Sequence, residues 1–231
     1  VEIRDARVLV AGATGGLGGA IARVLHAEGA RLAVSGRDPA RLAAVAAQTG
    51  AAPLPADLTD PVAPEMLVGA AADALGGLDA VVCAIGVVAF GPVTELDDAV
   101  LRTLFTVNAL APMRLTRAAL GRLERGGVVV NLSAITADLP TAGMAAYSAS
   151  KGALTAFDAA AHREARRGGR RVLDVRPPHT ETGLAERPIA GSPPRLSRGL
   201  EPEEVARAVV RAMREDRDEV DFGPAPGRTR P

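Results

Sequence analysis

Arg7-Val8-Leu9-Val10-Ala11-Gly12-Ala13-Thr14-Gly15-Gly16-Leu17-Gly18 passes from a short apolar run into a glycine-rich turn. The run 7–11 reads as a buried strand, and a helix over about 18–28 follows, stopped by Gly29. Strand, glycine turn and helix in that order make a cradle for phosphate. Glycines let the backbone approach a pyrophosphate, and a helix N-terminus presents free N–H groups and a positive dipole end. The spacing is G-x-x-x-G-x-G, set by Gly12, Gly16 and Gly18, with Gly15 and Leu17 completing the turn.

The same alternation continues outward from this unit. Apolar runs at 31–35, 53–56, 78–84, 128–132 and 171–175 read as further strands. Helical spacing fills 38–48, 64–75, 96–124 (interrupted near Pro112), the stretch through Tyr147 to about Arg167, and 201–214. Asp38-Pro39 is an N-cap followed by proline in the first helical turn. Strands alternating with helices predict an α/β fold with a Rossmann-like, doubly wound parallel sheet flanked by helices. No repeat or linker divides residues 1–231, so a single domain is expected. Residues 177–200 are rich in Pro, Gly and Ser and read as a mobile lobe over a site, 219–222 as a last strand, and 224–231 as a frayed tail.

Composition narrows the function. The 27 basic and 27 acidic residues cancel, the arginines are scattered, and aromatics make up 2% with no Trp. That argues against a nucleic-acid or anionic-membrane partner. A lone cysteine, Cys83, forbids an intrachain disulfide and suits a reducing compartment. No apolar run reaches membrane-span length and 1–5 is no signal peptide, so a cytoplasmic protein without a metal site is expected. Cys83 reads as a small core residue, and His26 and His162 as helix-surface residues.

The second informative stretch is Tyr147-Ser148-Ala149-Ser150-Lys151. It holds the only tyrosine and the only lysine of the chain, whose 26 other basic residues are arginine. Four apart on a helix, they share a face. A nearby ammonium favours the phenolate, which would lower the tyrosine pKa and make a proton donor or acceptor useful near neutral pH. At the end of the second strand, Ser35-Gly36-Arg37 stands where an NAD site would place Asp or Glu. Arg37 can clamp a 2′-phosphate and Thr14 can add a hydroxyl, which favours NADP(H) over NAD(H). Asp57 is placed to meet an adenine amino group, or to cap the following turn.

With these residues in view, the chain resembles the short-chain dehydrogenase/reductase family over roughly residues 5–184. The glycine turn, Asp57-Leu58, Val107-Asn108, Asn131-Leu132-Ser133 and Tyr147-x-x-x-Lys151 carry the resemblance. It implies a seven-stranded parallel sheet, hydride transfer between nicotinamide and a carbonyl or alcohol, and a homodimer or homotetramer. It assigns Tyr147, Lys151 and Asn108 to catalysis: Tyr147 exchanging the proton, Lys151 holding the ribose hydroxyls and lowering the tyrosine pKa, Asn108 binding a relay water through its backbone. Around the cofactor it places Gly12, Thr14, Gly15, Gly16, Leu17 and Gly18. Arg37, Asp57 and Leu58 belong to the adenosine side, and Ala84, Gly86, Tyr147, Lys151, Pro177, Thr180 and Thr182 to the remainder.

The chain departs from the family's pattern at Ala134, which occupies the catalytic serine's usual position thirteen residues before the tyrosine. Ser133 is its neighbour but should point to the opposite face of the strand; Thr136 is another candidate hydroxyl. Cys83-Ala84-Ile85-Gly86 replaces an amide-bearing stretch, Ala11 a threonine, and Pro177-Pro178 a Pro-Gly. The C-terminal segment also departs, which weakens the usual tetramer contact. His179 should lie near the nicotinamide. The expected activity is reduction of a ketone or other carbonyl of a small apolar or cyclic substrate, in a pocket formed by 134–144, 87–93 and 179–200. Alternatives are an NADP(H)-binding regulatory or scaffold protein with weak or lost redox activity, or non-redox acid–base chemistry such as isomerisation, elimination or cyclisation.

Overall fold

Val8, Leu9, Val10 and Ala11 are all fully buried, because strand β1 (Arg7–Ala11) has neighbours on both edges and helices on both faces. Such strands read as continuous apolar runs rather than alternating ones. In the computed structural model, which describes residues 1–215 together with Val220 and Phe222, β1 is joined by β2 (Arg31–Gly36), β3 (Ala52–Pro55), β4 (Ala80–Cys83), β5 (Val128–Leu132) and β6 (Arg171–Val175). All pairings are parallel, in the order β3-β2-β1-β4-β5-β6, with Leu9 opposite Ala33 on one side and Val81 on the other. The described residues therefore hold six strands. The seventh strand expected near 219–222 and the tail at 224–231 fall on positions largely outside them.

The described residues form seven α-helices: α1 (Gly16–Ala27), α2 (Pro39–Thr49), α3 (Ala63–Leu75), α4 (Asp98–Phe105), α5 (Ala111–Leu120), α6 (Ala145–Arg167) and α7 (Pro202–Arg214). Successive residues of β1 feed opposite cores. Val8 and Val10 meet Ile21, Leu25, Val205 and Val209 from α1 and α7; Leu9 and Ala11 meet Leu67, Leu115 and Ala161 from α3, α5 and α6. Each fully buried aliphatic side chain contributes about 1.5–3 kcal/mol. Asp38 caps α2 as expected, accepting from the N–H groups of Ala40 and Arg41 at 2.9 and 3.1 Å. α7 starts at a reciprocal Glu201–Glu204 capping box.

The expected helix over 96–124 is divided differently. α4 and α5 are separated by a π-helical turn at Thr106–Leu110, so the break is centred on Asn108 and not on Pro112. Pro112 lies in the first turn of α5, where its missing N–H costs nothing. α1 begins at Gly16, two residues earlier than the apolar spacing suggests, so part of the glycine turn is already helical. His162 is half-buried rather than on the surface, and its Nδ1 pairs with the Val172 carbonyl at 2.8 Å.

The segment 177–200 contains no helix or extended strand, and it is tied to the body by backbone bonds. Ile189 N–H donates to Val88 O at 2.8 Å and Phe90 N–H to Ala190 O at 3.0 Å. A parallel bridge joins Thr180 to Leu200. Gly191, at φ +70°, sits so close under the Phe90 carbonyl that no Cβ fits.

Reversal of strand order at β1 and β4 opens a crevice at their C-terminal ends, because β1 connects outward through α1 to β2 while β4 starts the opposite wing. There Gly18 packs its α-carbon against the Gly12 carbonyl, leaving no room for a side chain. Replacing Gly18 by Ala forces the turn apart and is expected to lower unfolding free energy by about 1–3 kcal/mol, measured by urea denaturation. An unchanged midpoint would show that the turn yields freely.

Candidate functional site

The crevice is a cleft of about 650 Å³. Its floor is the glycine turn. Gly12, at φ +83°, lies against the Ala84 carbonyl: a Cβ there would come within 2.8 Å. A Cβ on Gly16 would come within 2.8 Å of Thr182, so this glycine keeps α1 and the segment after β6 in contact. α1 begins on Gly15 with no side-chain cap and no acidic residue in its first turn. Its opening N–H groups and positive dipole end are left for a ligand, and the missing Cβ atoms leave the backbone accessible. These features fit the phosphates of a dinucleotide.

Of the residues predicted for the site, Gly12, Thr14, Gly15, Gly16, Leu17, Arg37, Asp57, Leu58, Ala84, Gly86, Tyr147, Lys151, Pro177, Thr180 and Thr182 all line this cleft. Gly18 and Asn108 do not. Gly18 acts beneath the turn. Asn108 is buried, with Oδ1 accepting from Val87 N–H at 2.9 Å and Nδ2 donating to Val87 O at 2.9 Å and Ser150 Oγ at 3.1 Å. Ser150 Oγ in turn donates to the Tyr147 carbonyl at 2.7 Å. The Asn108 side chain thus fastens the π turn to the loop after β4 and to α6, and Val107 is the cleft-lining member of that pair.

At the adenosine end, Arg37 is exposed and Arg41 lies beside it in the lining, with Nη2 donating to Thr14 O at 2.6 Å. Arg41 escaped sequence reasoning, although the Asp38 cap places it in the first turn of α2, facing the glycine turn. Asp57 lines the cleft and also caps the following turn: Oδ1 accepts from Thr59 N–H at 3.0 Å and Thr59 Oγ1 at 2.8 Å. Those bonds, the backbone one foremost, hold its carboxyl below the usual carboxylate range.

Tyr147 and Lys151 share the inner face of α6, but the expected pKa lowering of the tyrosine is reversed. Burial pushes the Tyr147 phenol up to about 12, and the Lys151 ammonium is occupied by the Leu132 carbonyl at 2.8 Å. Burial pulls Lys151 down to about 8, opposed by Cys83, Asp174 and Asp158. In an enclosed site desolvation outweighs the attraction between two groups one turn apart. Cys83 is buried, and burial pushes its thiol to about 12, so it behaves as a core residue.

Ala134 presents a methyl group where the resemblance expects a hydroxyl. Ser133 also lines the cleft, and its Oγ is engaged at the strand, donating to Asp174 Oδ1. Thr136 follows in the 3₁₀ turn Ile135–Ala137, with Oγ1 buried and without a hydrogen-bond partner. His179 is in the lining, its Nε2 3.5 Å from Glu181 Oε1, and Glu181 is braced by Gly199 N–H at 2.6 Å. The walls around Tyr147 are apolar: Val88, Phe90, Met144, Leu184 and Ile189. Below the site, Asn131 Nδ2 donates to Asp158 Oδ1 at 2.7 Å and to Thr116 Oγ1 at 2.9 Å. Among the described residues, no cluster of His, Cys, Asp or Glu is placed to hold a metal, and no helix is long and apolar enough to cross a membrane.

Known proteins resemble this chain in sequence and in fold. A sequence profile described as short chain dehydrogenase matches residues 6–190. An uncharacterized oxidoreductase of Methylorubrum extorquens is 35% identical over 191 residues, covering 80% of this chain and 77% of its own. Among solved structures, a short chain dehydrogenase from Burkholderia cenocepacia in complex with NADP superposes with a TM-score of 0.83 at 30% identity, covering 92% of each chain. BdcA in complex with NADPH gives 0.80 at 29% identity, covering 91% of this chain and 87% of that one.

Asp158 gives the site a measurable pH signature. Burial raises its pKa from 3.8 to about 8. The folded state therefore holds a proton that the unfolded state releases, so this contribution to stability is present at low pH and is lost as pH rises from about 4 to about 8. The isosteric Asp158→Asn substitution should flatten that fall, gaining on the wild type between pH 5 and pH 8 in urea denaturation. Parallel pH profiles would contradict the assignment.

Proposed function

The chain belongs to the short chain dehydrogenase family, and on that premise we propose that it is an NADP(H)-dependent oxidoreductase reducing the carbonyl of a small apolar or cyclic substrate. The observation that carries this reading is the meeting of the chain's only phenol and only primary side-chain amine, Tyr147 and Lys151, in one cleft with a glycine phosphate cradle. NADP and NADPH in the related solved structures support the choice of cofactor. When bound, the cofactor supplies the hydride.

The chain's own residues do the rest. The N–H groups at the start of α1 hold the pyrophosphate, and Arg37, flanked by Arg41, takes the 2′-phosphate as a bidentate cation. Lys151 holds the ribose hydroxyls with its ammonium. Tyr147 gives its proton to the carbonyl oxygen as charge builds there. Val88, Phe90, Met144, Leu184 and Ile189 exclude water from the reacting end and seat an apolar ketone. Asn108 acts as a positioning residue, since its side chain is consumed by Val87 and Ser150.

The Ala134 methyl group favours a second reading, in which redox turnover is weak and the cleft mainly binds NADP(H) or runs acid–base chemistry through Tyr147 and His179. Without a serine hydroxyl the substrate oxygen lacks one donor, worth about 10²–10³ in rate at comparable sites.

NADPH oxidation with a panel of ketones separates the readings. Tyr147→Phe should reduce kcat by about 10²–10⁴ and leave NADPH binding intact, whereas tight binding with no turnover on any carbonyl supports the second reading. Ala134→Ser should raise kcat if a hydroxyl donor is what the site lacks; no gain would show that another group already serves. Arg37→Ala should weaken NADPH and leave NADH unchanged in fluorescence titration, and equal losses for both would remove Arg37 from the 2′-phosphate site.

A further inference from the structure

Behind Lys151, strands β5 and β6 and helix α6 enclose two carboxylates that the proposed chemistry does not use. Asp158 is on α6, 1% exposed, and receives a single hydrogen bond, from Asn131 to Oδ1; its Oδ2 is buried without a partner. Asp174, on β6, takes Ser133 Oγ on Oδ1, and Arg176 Nε lies 3.7 Å from Oδ2. Lys151 is 3% exposed and satisfies one of its three N–H donors on the Leu132 carbonyl. We infer that buried Asp158 and the part-buried Asp174, whose side chain is 13% exposed, form an acid pair holding one proton between them, and that the charge left on the pair is the counter-ion that keeps Lys151 an ammonium.

Charge balance carries the inference. A buried ammonium needs a nearby anion, and two neighbouring carboxylates largely withdrawn from water repel. One proton on the pair leaves one anion beside one cation. Asp174 is the better seat for the charge, because Ser133 donates to it and Arg176 flanks it. The Oδ2 of each acid meets no hydrogen-bond donor, but Asp158 is the better seat for the proton, because it has only the neutral Asn131 amide as donor and is the more deeply buried. The groups that act on Lys151 agree: Asp174 from β6 and Asp158 from its own helix favour its charged form, while Cys83 from β4 stays a neutral thiol. Tyr147 is held neutral by burial, and His162, farther along α6, is engaged by Val172. The two acids titrate as a unit, and they act through Lys151 as positioning residues. Their catalytic consequence, though not the pairing itself, rests on the oxidoreductase reading.

The single lysine makes the test direct, since lysine labelled with ¹⁵N at Nζ gives one side-chain signal. Either Asp158→Asn or Asp174→Asn leaves one carboxylate to ionise, so each should move the Lys151 midpoint only slightly. The Asp158→Asn/Asp174→Asn double variant removes the counter-ion and should move it down by about one pH unit or more. An unchanged midpoint in the folded double variant overturns the pair, as does a single variant that shifts as far as the double. If the double variant does not fold, infrared spectroscopy of the wild type decides: a protonated carboxyl band persisting at pH 7 supports the pair, and its absence overturns it. Neither measurement needs cofactor or substrate. With substrate, the alkaline limb of kcat should move with the Lys151 midpoint while KM stays constant. If the wild type bound NADPH tightly but turned over no carbonyl, the oxidoreductase reading would fail and the titration result would stand.

Discussion

The contact between Gly18 and the Gly12 carbonyl is tighter than any side chain allows, and the remaining architecture depends on it. It brings the start of α1 directly over the end of β1, so the helix dipole points into the crevice between β1 and β4. The same closeness recurs at Gly12 against Ala84 and at Gly16 against Thr182. Three backbone segments from distant parts of the chain converge there without side chains between them. A phosphate cradle is what remains when backbone is packed against backbone and the N–H groups at a helix start have no other partner.

The catalytic end is built on the opposite principle, in which polar side chains are used up internally. Asn108 ties the π turn, the loop after β4 and α6 together through Val87 and Ser150. Asn131 links Thr116 on α5 to Asp158 on α6, and Ser133 links β5 to Asp174 on β6. Both asparagines of the chain are therefore structural fasteners. The departure from the family pattern at Ala134 falls amid this network, in which the Ser133 hydroxyl is engaged by Asp174. Lys151 belongs to both systems, with its ammonium toward the cleft and acids behind it.

The parallel sheet was legible in the sequence because strands buried on both faces appear as unbroken apolar runs; β1, β5 and β6 lie on the residues that reading assigned. The cleft-lining residues were largely legible because glycine, tyrosine and lysine each do something here that few other residues can. Arg41 was not, since an arginine among many carries no signal until the turn that it faces is known. The break in the helix at Asn108 was not either. Proline is the conspicuous breaker in a sequence, whereas a π turn is set by where a side chain finds its partners across space.

The sequence by itself determined the alternation of strands and helices, the glycine cradle and the pairing of Tyr147 with Lys151, all of which follow from neighbours along the chain. Only the tertiary structure decided the charge states. Two residues four apart suggest attraction between ammonium and phenol; packing of Tyr147 against Val88, Phe90, Leu104 and Ala134 makes desolvation the larger effect and raises the phenol instead. Burial and the approach of Asp158 and Asp174 are sums over residues far apart in sequence, and no local pattern records them.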